Sequence, residues 1–413
     1  MKRLMVLGSE KYFENLVLSA QKEGVYTIVC DGLKDTPAKK VADEAMEIDI
    51  HDIEKLINIA LEKKIDGIVT GFTDTLIKPS TIIANRLNLP CGINIEQIAS
   101  ITNKKVMKSI FEKNDIDSPK YFIASPENKL EKLETLNFPL IVKPLDSSGS
   151  KGIYIVETLE QLNEKIKQAS KYSTDNQVIV EEYYNADEIQ GLGWVHDGKV
   201  HVMYIGDREL VSIHKGRPRK PKRLYYPSKY LYQYEECIKN LYQRIVDVFQ
   251  IKNGPLYIQM LVGEYGVKVN EIMTRLPGGC DYLGIKDIVG YDIGKLMIDF
   301  SVGNNVDFEE IKKITLKNIS HNLFVVPIYL RPGTVKSIEG LVELKQYSWV
   351  KEVFCNILEG SQVLGTGDMK QDCGRVFAVA TNQFDARKKL EIIHKTLQIK
   401  DNKGINMIEN FIR

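Results

Sequence analysis

The stretch Phe138–Val156 constrains the fold of this chain most strongly, because it joins two apolar strands through a loop of small residues. The first strand ends in Lys143, and the loop Ser147–Gly152 reads Ser-Ser-Gly-Ser-Lys-Gly. Backbone N–H groups of small residues can approach phosphate oxygens closely, since little side chain stands in the way. The spacing is not that of a P-loop, and a strand rather than a helix follows. The stretch therefore favours a nucleoside triphosphate site outside the P-loop class.

Length and composition limit the class of protein. At 413 residues the chain predicts roughly two to four domains. The net charge of +1 gives no reason to expect nucleic-acid or membrane affinity. No apolar run reaches the ~18 residues of a transmembrane helix, and the N-terminus lacks a signal-peptide pattern. Six scattered cysteines without a C-x-x-C pair predict free thiols, so we expect a cytoplasmic protein.

Apolar spacing divides the chain into three predicted domains. Strands alternate with helices over the first hundred residues, which predicts a parallel sheet. A helix over Asn103–Asn114, with Thr102 as its N-cap, follows this unit. Asp197-Gly198 and the segment Glu264–Gly266 each predict a β-hairpin turn, and the last third of the chain mixes strands with a final helix. We therefore expect domains at 1–101, 102–304 and 305–413.

The second of these hairpins predicts a metal site. If Gly266 is the left-handed residue of a three-residue loop, Gly263 faces Val267. Gln259 then faces Glu271 on the same side of the ladder. Mg²⁺ takes few protein oxygens together with phosphate oxygens. A carboxylate opposite an amide oxygen can therefore hold this ion.

Charged and small residues follow the hairpin. Arg275 comes four residues after Glu271 and precedes Gly278-Gly279, and its planar fork suits a transferring phosphate. Asn270 is next to the predicted metal carboxylate, but strand alternation directs it to the opposite face. A surface hairpin with an incidental ion pair is the alternative, and the small-residue loop upstream favours the site.

The segment Gln177–Glu188 suits a nucleoside. A buried strand ends in Glu181-Glu182, Tyr183-Tyr184 follow, and Glu188 lies beyond them. One carboxylate can accept a hydrogen bond from an adenine amino group and another from ribose hydroxyls. Exposed glutamates at a strand end are also commonplace, so this segment supports the site only together with the other motifs.

Two groups of basic residues allow more than one interpretation. Lys104 and Lys108 lie four residues apart on one helix face, where they either face solvent or reach an α-phosphate. The stretch 215–223 has six basic residues in nine. It is either a solvated loop or a rim that attracts an anionic ligand, and no aromatic RNA-binding motif accompanies it.

Taken together and in order, these motifs resemble those of the ATP-grasp superfamily over essentially the whole chain. The resemblance implies an α/β and α+β protein, in which an N-terminal parallel α/β domain like that of biotin carboxylase precedes a two-lobed ATP-binding region and a C-terminal α+β domain. The small lobe is expected at about 118–184 and the large lobe from 185 on. Arg275–Gly279, Tyr226–Ser228 and the mixed C-terminal domain resemble L-amino-acid (dipeptide) ligases more than biotin carboxylases or D-alanine–D-alanine ligases.

The resemblance also implies roles for individual residues. The expected catalytic residues are Arg275, Lys143 and Glu271. The expected metal ligands are Gln259 and Glu271, and the expected substrate contacts are Arg275, Gly278 and Gly279. The expected ATP-binding residues are Lys104, Lys143, Ser147, Ser148, Gly149, Ser150, Lys151, Gly152, Glu181, Glu182, Tyr183, Tyr184 and Glu188.

ATP-grasp ligases phosphorylate a carboxylate with ATP, and an amine then displaces phosphate from the acyl phosphate. The resemblance therefore implies ATP, one or two Mg²⁺ ions, a small-molecule carboxylate and amine, amino acids as substrates, and the homodimers common among similar ligases. Gln259 replaces a usual carboxylate and Met273 a usual asparagine of the metal hairpin, which weakens the second ion site. The alternatives are a nucleotide-binding module with little turnover and a ligase of a non-amino-acid carboxylate.

Overall fold

The structure, a computed structural model, describes residues 1–127, 133, 136–147, 151–211, 220–317, 319, 321–365 and 371–409. These residues form four sheets with helices on their faces. Within the described ranges, no helix is both long and apolar enough to cross a membrane.

The N-terminal sheet is parallel, as the alternation of strands and helices predicted. Its strands lie in the order β3-β2-β1-β4. They can be parallel because helices carry the chain from the end of one strand to the start of the next. The strands are β1 (Arg3–Leu7), β2 (Tyr26–Asp31), β3 (Glu44–Glu47) and β4 (Gly67–Val69). The helices are α1 (Lys11–Lys22), α2 (Pro37–Val41), α3 (Ile53–Glu62) and α4 (Ile77–Arg86).

Two helices, α5 (Ile98–Thr102) and α6 (Lys104–Lys113), lead from this sheet to the rest of the chain. The N-cap of α6 is Asn103, whose side chain accepts from the backbone N–H groups of Lys105 and Val106 at 3.0 and 3.3 Å. The prediction of Thr102 as the cap is wrong, because the Thr102 hydroxyl donates back to Ile98 O within α5.

A four-stranded antiparallel sheet in the order β5-β8-β6-β7 forms the small lobe. Its elements are β5 (Tyr121–Ala124), β6 (Leu140–Pro144), β7 (Tyr154–Val156), α7 (Leu159–Ala169) and β8 (Val178–Glu182). Leu140 and Val142 are fully buried in a cluster with α7. Strand alternation turns Ile141 and Lys143 to the other face, which is the face that meets the large sheet.

The large sheet has eight antiparallel strands in the order β13-β12-β9-β10-β11-β14-β18-β16. These strands are β9 (Ala186–His196), β10 (Lys199–Val211), β11 (Lys220–Tyr226), β12 (Gly254–Gly263), β13 (Gly266–Met273), β14 (Asn322–Tyr329), β16 (Val350–Cys355) and β18 (Asp372–Ala380). The sheet is continuous across position 305, so the division of the chain into 1–101, 102–304 and 305–413 stays a prediction.

The remaining elements cover or extend this sheet. A small sheet in the order β17-β15-β19 contains β15 (Gly333–Glu339), β17 (Gln362–Val363) and β19 (Gln398–Asp401). The helices are α8 (Leu231–Phe249), α9 (Tyr282–Val289), α10 (Ile293–Ser301), α11 (Phe308–Lys312), α12 (Leu341–Gln346) and α13 (Gln383–Thr396). Helix α8 packs on one face of the large sheet, whereas α9, α10 and the N-terminal unit pack on the other. This mixture of parallel and antiparallel sheets confirms the expected α/β and α+β class.

The hairpin of β12 and β13 reaches the predicted pairing in an unexpected way. Gly263 pairs with Gly266, so the predicted pairing of Gly263 with Val267 is wrong. The register then shifts by one residue between Gln259 and Met260, and this β-bulge restores the predicted pair of Gln259 and Glu271. The extra residue of the bulge changes which side chains share a face of the strand.

Candidate active site

A cavity of about 440 Å³ lies between the small-lobe sheet, the large sheet and the N-terminal unit. Most of the residues predicted from the sequence line it, namely Lys104, Lys143, Ser147, Glu181, Glu182, Tyr183, Tyr184, Glu188, Gln259, Glu271, Arg275, Gly278 and Gly279. Lys151 and Gly152 are described but do not line it. The predicted contacts Ser148, Gly149 and Ser150 lie outside the described residues.

Glu181 forms the charged centre of the cavity wall. Lys108 Nζ lies 2.9 Å from Glu181 Oε1, and Lys143 Nζ contacts Glu181 Oε2. Burial opposes ionisation of this carboxyl, but the two lysines outweigh it and lower the pKa of Glu181 to about 2. Both carboxylate oxygens are engaged by lysines, and a nucleoside contact by Glu181 stays a prediction.

The two lysines of helix α6 point the same way, as their spacing allowed. Lys104 Nζ donates to Ser147 O at 3.2 Å and lies 3.9 Å from Glu271 Oε2. Lys108 is only 2% exposed and lies beneath the cavity surface against Glu181. Lys104 therefore connects the small-residue loop with the hairpin of β12 and β13. Lys108 instead holds Glu181, whose carboxylate contacts Lys143.

The small-residue loop returns to the sheet through a residue that must be glycine. Gly152 has a φ of +69°, and a Cβ there would meet a ring carbon of Tyr172 at 2.7 Å and Pro144 Cγ at 2.9 Å. Ser147, at the start of the loop, lines the cavity and presents its carbonyl oxygen to Lys104. The loop therefore begins at the cavity and is closely packed where it ends.

The segment Glu182–Tyr184 at the end of strand β8, which we call the hinge, already forms hydrogen bonds within the protein. The N–H of Glu182 donates to Lys120 O and that of Tyr183 donates to Pro139 O, both at 3.0 Å. Tyr184 bonds across to the hairpin turn, where its hydroxyl donates to Gly266 O at 3.2 Å. Carbonyl oxygens of the hinge and an apolar wall remain for a planar base. The apolar residues on that wall are Ile141, Ile153, Ile155 and Leu261, which sequence motifs did not reveal.

Glu188 forms an ion pair across the large sheet. It lies on β9 directly opposite Arg208 of β10, and Arg208 Nη1 is 3.1 Å from Glu188 Oε2. Arg208 was not predicted, because a lone arginine on a long strand has no motif around it. A ribose contact by Glu188 stays a prediction.

Three oxygen-bearing side chains meet at the metal hairpin. Gln259, Asn270 and Glu271 all line the cavity, and Asn270 Oδ1 also accepts from Lys143 Nζ at 3.2 Å. The prediction that Asn270 points to the opposite face is wrong, because the bulge in this hairpin interrupts the alternation. No group of three or more His, Cys, Asp or Glu side chains suited to a metal occurs among the described residues. One carboxylate and two amide oxygens nevertheless form a hard donor set that fits one Mg²⁺ shared with phosphates.

Arg275 is held by the N-terminal unit. Its Nε donates to Asp74 Oδ1 at 2.7 Å, and its Nη2 lies 2.5 Å from the same oxygen. Nη1 donates to Leu276 O, and Nη2 also contacts Met273 Sδ. Met273, which replaces the usual asparagine, therefore packs against the arginine. Asp74 could not be identified from the sequence, because 201 residues separate it from Arg275.

The glycine pair allows the segment after strand β13 to approach the N-terminal unit closely. Phe72 N donates to Leu276 O at 3.0 Å, and a Cβ at Gly278 would meet Phe72 O at 2.8 Å. Gly279 approaches the side chain of Asp281 in the same manner. The requirement for glycine here is explained by close packing, and the predicted substrate contacts of Gly278 and Gly279 stay predictions.

A largely buried polar network forms part of the cavity wall and extends to Asp281. Gln190 Nε2 donates to Asp281 Oδ2 at 2.8 Å, and Tyr257 OH donates to Gln190 Oε1 at 2.6 Å. Burial raises the pKa of Asp281 to about 6. The amide of Gln259 lies 3.5 Å from Tyr257 OH, so this network joins the metal hairpin to the segment after the glycine pair.

The described part of the basic stretch is not a solvated loop. Lys220–Arg223 belongs to β11, and Lys222 and Arg223 both pair with Glu209. Their side chains are only about a tenth exposed. Residues 215–219 lie outside the described residues.

Comparisons with known proteins agree with this geometry. The family model described as the D-ala D-ala ligase C-terminus matches residues 110–252, and that of the L-amino acid ligase C-terminal domain 2 matches residues 327–400. The L-amino acid ligase from Bacillus licheniformis has a similar structure, with a TM-score of 0.83 and 19% identity, covering 97% of this chain and 99% of that one. The biotin carboxylase domain of 2-oxoglutarate carboxylase from Hydrogenobacter thermophilus, crystallised with MgADP and bicarbonate, gives 0.78 and 14%, covering 100% and 92%.

Sequence similarity to curated proteins covers a shorter segment. The formate-dependent phosphoribosylglycinamide formyltransferase of Methanocaldococcus jannaschii is 29% identical over 189 residues, which are 45% of this chain and 48% of that protein. The chain therefore spans about half the length of the curated relatives it matches. Fold, site and matches define the chain as an ATP-grasp protein, which confirms the recognition made from the sequence. Within that superfamily its central and C-terminal segments are similar to the models of D-ala D-ala and L-amino acid ligases.

Proposed function

We propose that this chain is an ATP- and Mg²⁺-dependent ligase that forms an amide bond between a carboxylate and an amine, with amino acids as the favoured substrates. One observation carries the proposal. Lys143 of the small lobe, Glu271 of the metal hairpin and Arg275 line a single cavity. A triphosphate between the two lobes would meet a lysine, a metal carboxylate and a guanidinium, which are the groups that phosphoryl transfer requires.

The two ends of the cavity suit different parts of ATP. The apolar wall of Ile141, Ile153 and Ile155 accepts a flat base beside the hinge. Lys104 and Lys143, which both line the cavity, would neutralise the α- and β-phosphates. Glu271, Gln259 and Asn270 would hold one Mg²⁺ together with phosphate oxygens, and the ion would spread the charge of the transferring phosphoryl group.

The acid substrate would react beside Arg275. An oxygen of the substrate carboxylate attacks the γ-phosphorus, ADP leaves, and an acyl phosphate forms. The amine then attacks the acyl carbon, phosphate leaves, and the amine loses one proton. Arg275 would bind first the γ-phosphate and then the phosphate of the intermediate through its planar fork. The walls of the cavity would keep water from the acyl phosphate.

A ligase that uses a non-amino-acid substrate is the second candidate. The 29% identity to a phosphoribosylglycinamide formyltransferase supports it, because that protein acts on a phosphorylated amine by its name. The match to the L-amino acid ligase C-terminal model supports the amino-acid reading. A screen for ADP release must therefore include amino acids, formate and a phosphorylated amine.

The test is an assay of ADP release with pairs of candidate acids and amines, with hydroxylamine added to trap the acyl phosphate as a hydroxamate. We expect ADP release only when an acid is present and an amide product only when both substrates are present. Glu271→Gln should lower kcat roughly a hundredfold or more while ATP still binds. Glu264→Gln, on the exposed turn of the same hairpin, is the control and should behave as wild type. ADP release that ignores every acid, or unchanged kinetics in Glu271→Gln, contradicts the proposal.

A further inference from the structure

The cavity extends beyond Arg275 to an end that no sequence motif predicted. Glu10 and Tyr12, at the start of helix α1, line it on one side. Asp372 and Arg375, near the start of strand β18, line it on the other. We call these four residues the distal cluster. It brings together the N-terminal unit and the C-terminal part of the large sheet, opposite the end that contains Lys143.

Arg375 has donors that the protein does not use. It is 8% exposed, and only Nη1 of its guanidinium donates to described residues, namely to the Asp372 carboxylate and to Gly374 O. Its Nε is buried and has no hydrogen-bond partner within the described part of the chain. Buried guanidinium N–H groups are nearly always hydrogen-bonded in proteins. An anion in the distal cluster would supply the missing acceptor.

Each carboxylate of the cluster has at least one oxygen without a hydrogen-bond donor among the described residues. The Asp372 side chain is 6% exposed, and its Oδ2 accepts no hydrogen bond from any residue that the structure describes. The Glu10 side chain is exposed and forms no hydrogen bond or ion pair with the described residues. A cation in the cluster would satisfy both carboxylates. The cluster therefore lacks an acceptor and a donor at the same time.

The charges decide between a zwitterion and a phosphate. Each arginine of the cavity pairs with one carboxylate, Arg208 with Glu188, Arg275 with Asp74 and Arg375 with Asp372. The distal cluster is left with two carboxylates and one guanidinium, a net charge of −1. A phosphate dianion would be repelled by this surplus, whereas an ammonium and a carboxylate on one molecule would each find a partner.

We propose that the distal cluster binds the amine substrate as an amino-acid zwitterion, with Arg375 bound to its carboxylate and with Asp372 and Glu10 beside its ammonium group. The inference rests on the proposed ligase function and assigns one of its two substrates to a place. It makes strand β18 of the C-terminal region responsible for the choice of amine. The proton that the ammonium loses before attack would pass to one of the two carboxylates.

The experiment is a binding measurement that does not depend on turnover. The standard L-amino acids are screened by thermal shift with Mg²⁺ and a non-hydrolysable ATP analogue, and the strongest ligand and its C-terminal amide are then titrated. We expect the free amino acid to bind about tenfold to a hundredfold more tightly than the amide, since a hydrogen bond to a charged group is lost. The Asp372→Asn/Arg375→Gln double variant removes both charges together, so that no unpaired charge stays buried. It should bind both ligands equally weakly and bind the ATP analogue as wild type does.

Arg387→Gln is the matched control, because Arg387 is exposed and does not line this cavity. Near-UV circular dichroism checks that each variant is folded. The inference is overturned if no amino acid binds, if the amide binds as well as the free acid, or if the double variant keeps the wild-type preference. Amino-acid binding without ADP release would refute the ligase proposal alone, whereas ADP release with an unchanged preference in the double variant would refute the distal cluster alone.

Discussion

The ion pair between Asp74 and Arg275 gives the sharpest test of the proposed chemistry. Asp74 begins a short 3-10 helix after strand β4, and one of its oxygens faces both Nε and Nη2 of the arginine, at 2.7 and 2.5 Å. Leu276 O takes a third donor. The protein therefore holds the guanidinium on three sides. These contacts fix the direction in which the remaining Nη1 hydrogen points. We infer that Asp74 positions Arg275 for the phosphate.

The magnitude follows from the two contacts. A hydrogen bond to a charged group contributes about 1.5–3 kcal/mol, whereas a neutral one contributes about 1 kcal/mol. Asp74→Asn keeps an acceptor oxygen but removes the charge. It should therefore raise the activation free energy by about 1–2 kcal/mol, which lowers kcat about fivefold to thirtyfold. Asp74→Ala removes the contact and should cost about 2–3 kcal/mol, or roughly thirtyfold to 150-fold.

The assay compares kcat for ADP release with the dissociation constant of ATP. We expect kcat to fall in the order wild type, Asp74→Asn, Asp74→Ala, and ATP affinity to change less than kcat, since Arg275, the residue that Asp74 holds, would contact only the γ-phosphate of the nucleotide. Asp35→Asn removes an exposed carboxylate of the same unit and is the control. A kcat equal to or above wild type in Asp74→Asn would mean that Asp74 competes with the phosphate for Arg275, and the positioning role would be wrong.

Three further outcomes follow from buried groups. The carboxyl of Glu181 has a pKa lowered to about 2, so its ionised form stabilises the fold above the unfolded pKa, and that contribution is lost as the pH falls toward 2. The free-energy difference between wild type and Glu181→Gln, measured by urea unfolding, should shrink by roughly 1 kcal/mol from pH 7 to pH 3.5. Burial raises the pKa of Asp281 to about 6, so wild type loses stability as the pH rises through that value. Relative to wild type, Asp281→Asn should gain roughly 2 kcal/mol between pH 4.5 and 7, and a constant difference would argue against the burial. Gly278→Ala forces a Cβ to within 2.8 Å of Phe72 O and should cost about 1–3 kcal/mol in thermal unfolding, whereas Gly32→Ala, which has room for the methyl group, should not.

Local sequence was enough to predict the elements whose residues show a clear periodicity or a short motif. The alternation in the first hundred residues predicted the parallel sheet, because crossover helices leave a period that a sequence shows directly. The spacing of Lys104 and Lys108 placed both on one face of a helix, and both point toward the site. The run around Lys143 predicted two strands, which β6 and β7 confirm.

The metal hairpin shows where a local pattern misleads. Strict alternation put Asn270 on the wrong face, since one extra residue in the strand inverts the direction of every side chain before it. The bulge that supplies this residue has no obvious signature in Val267–Glu271. It can be recognised only from the pairing of the two strands.

By itself, the sequence determined the class of fold and singled out many of the residues that line one cavity. These depend on periodicity and on short motifs, in which the interacting residues are close in the chain. Tertiary structure alone decided the partners of those residues, such as Asp74 for Arg275, and the existence of the distal cluster. Glu10 and Arg375 are separated by most of the chain, and only packing of the N-terminal unit on the large sheet brings them to one cavity.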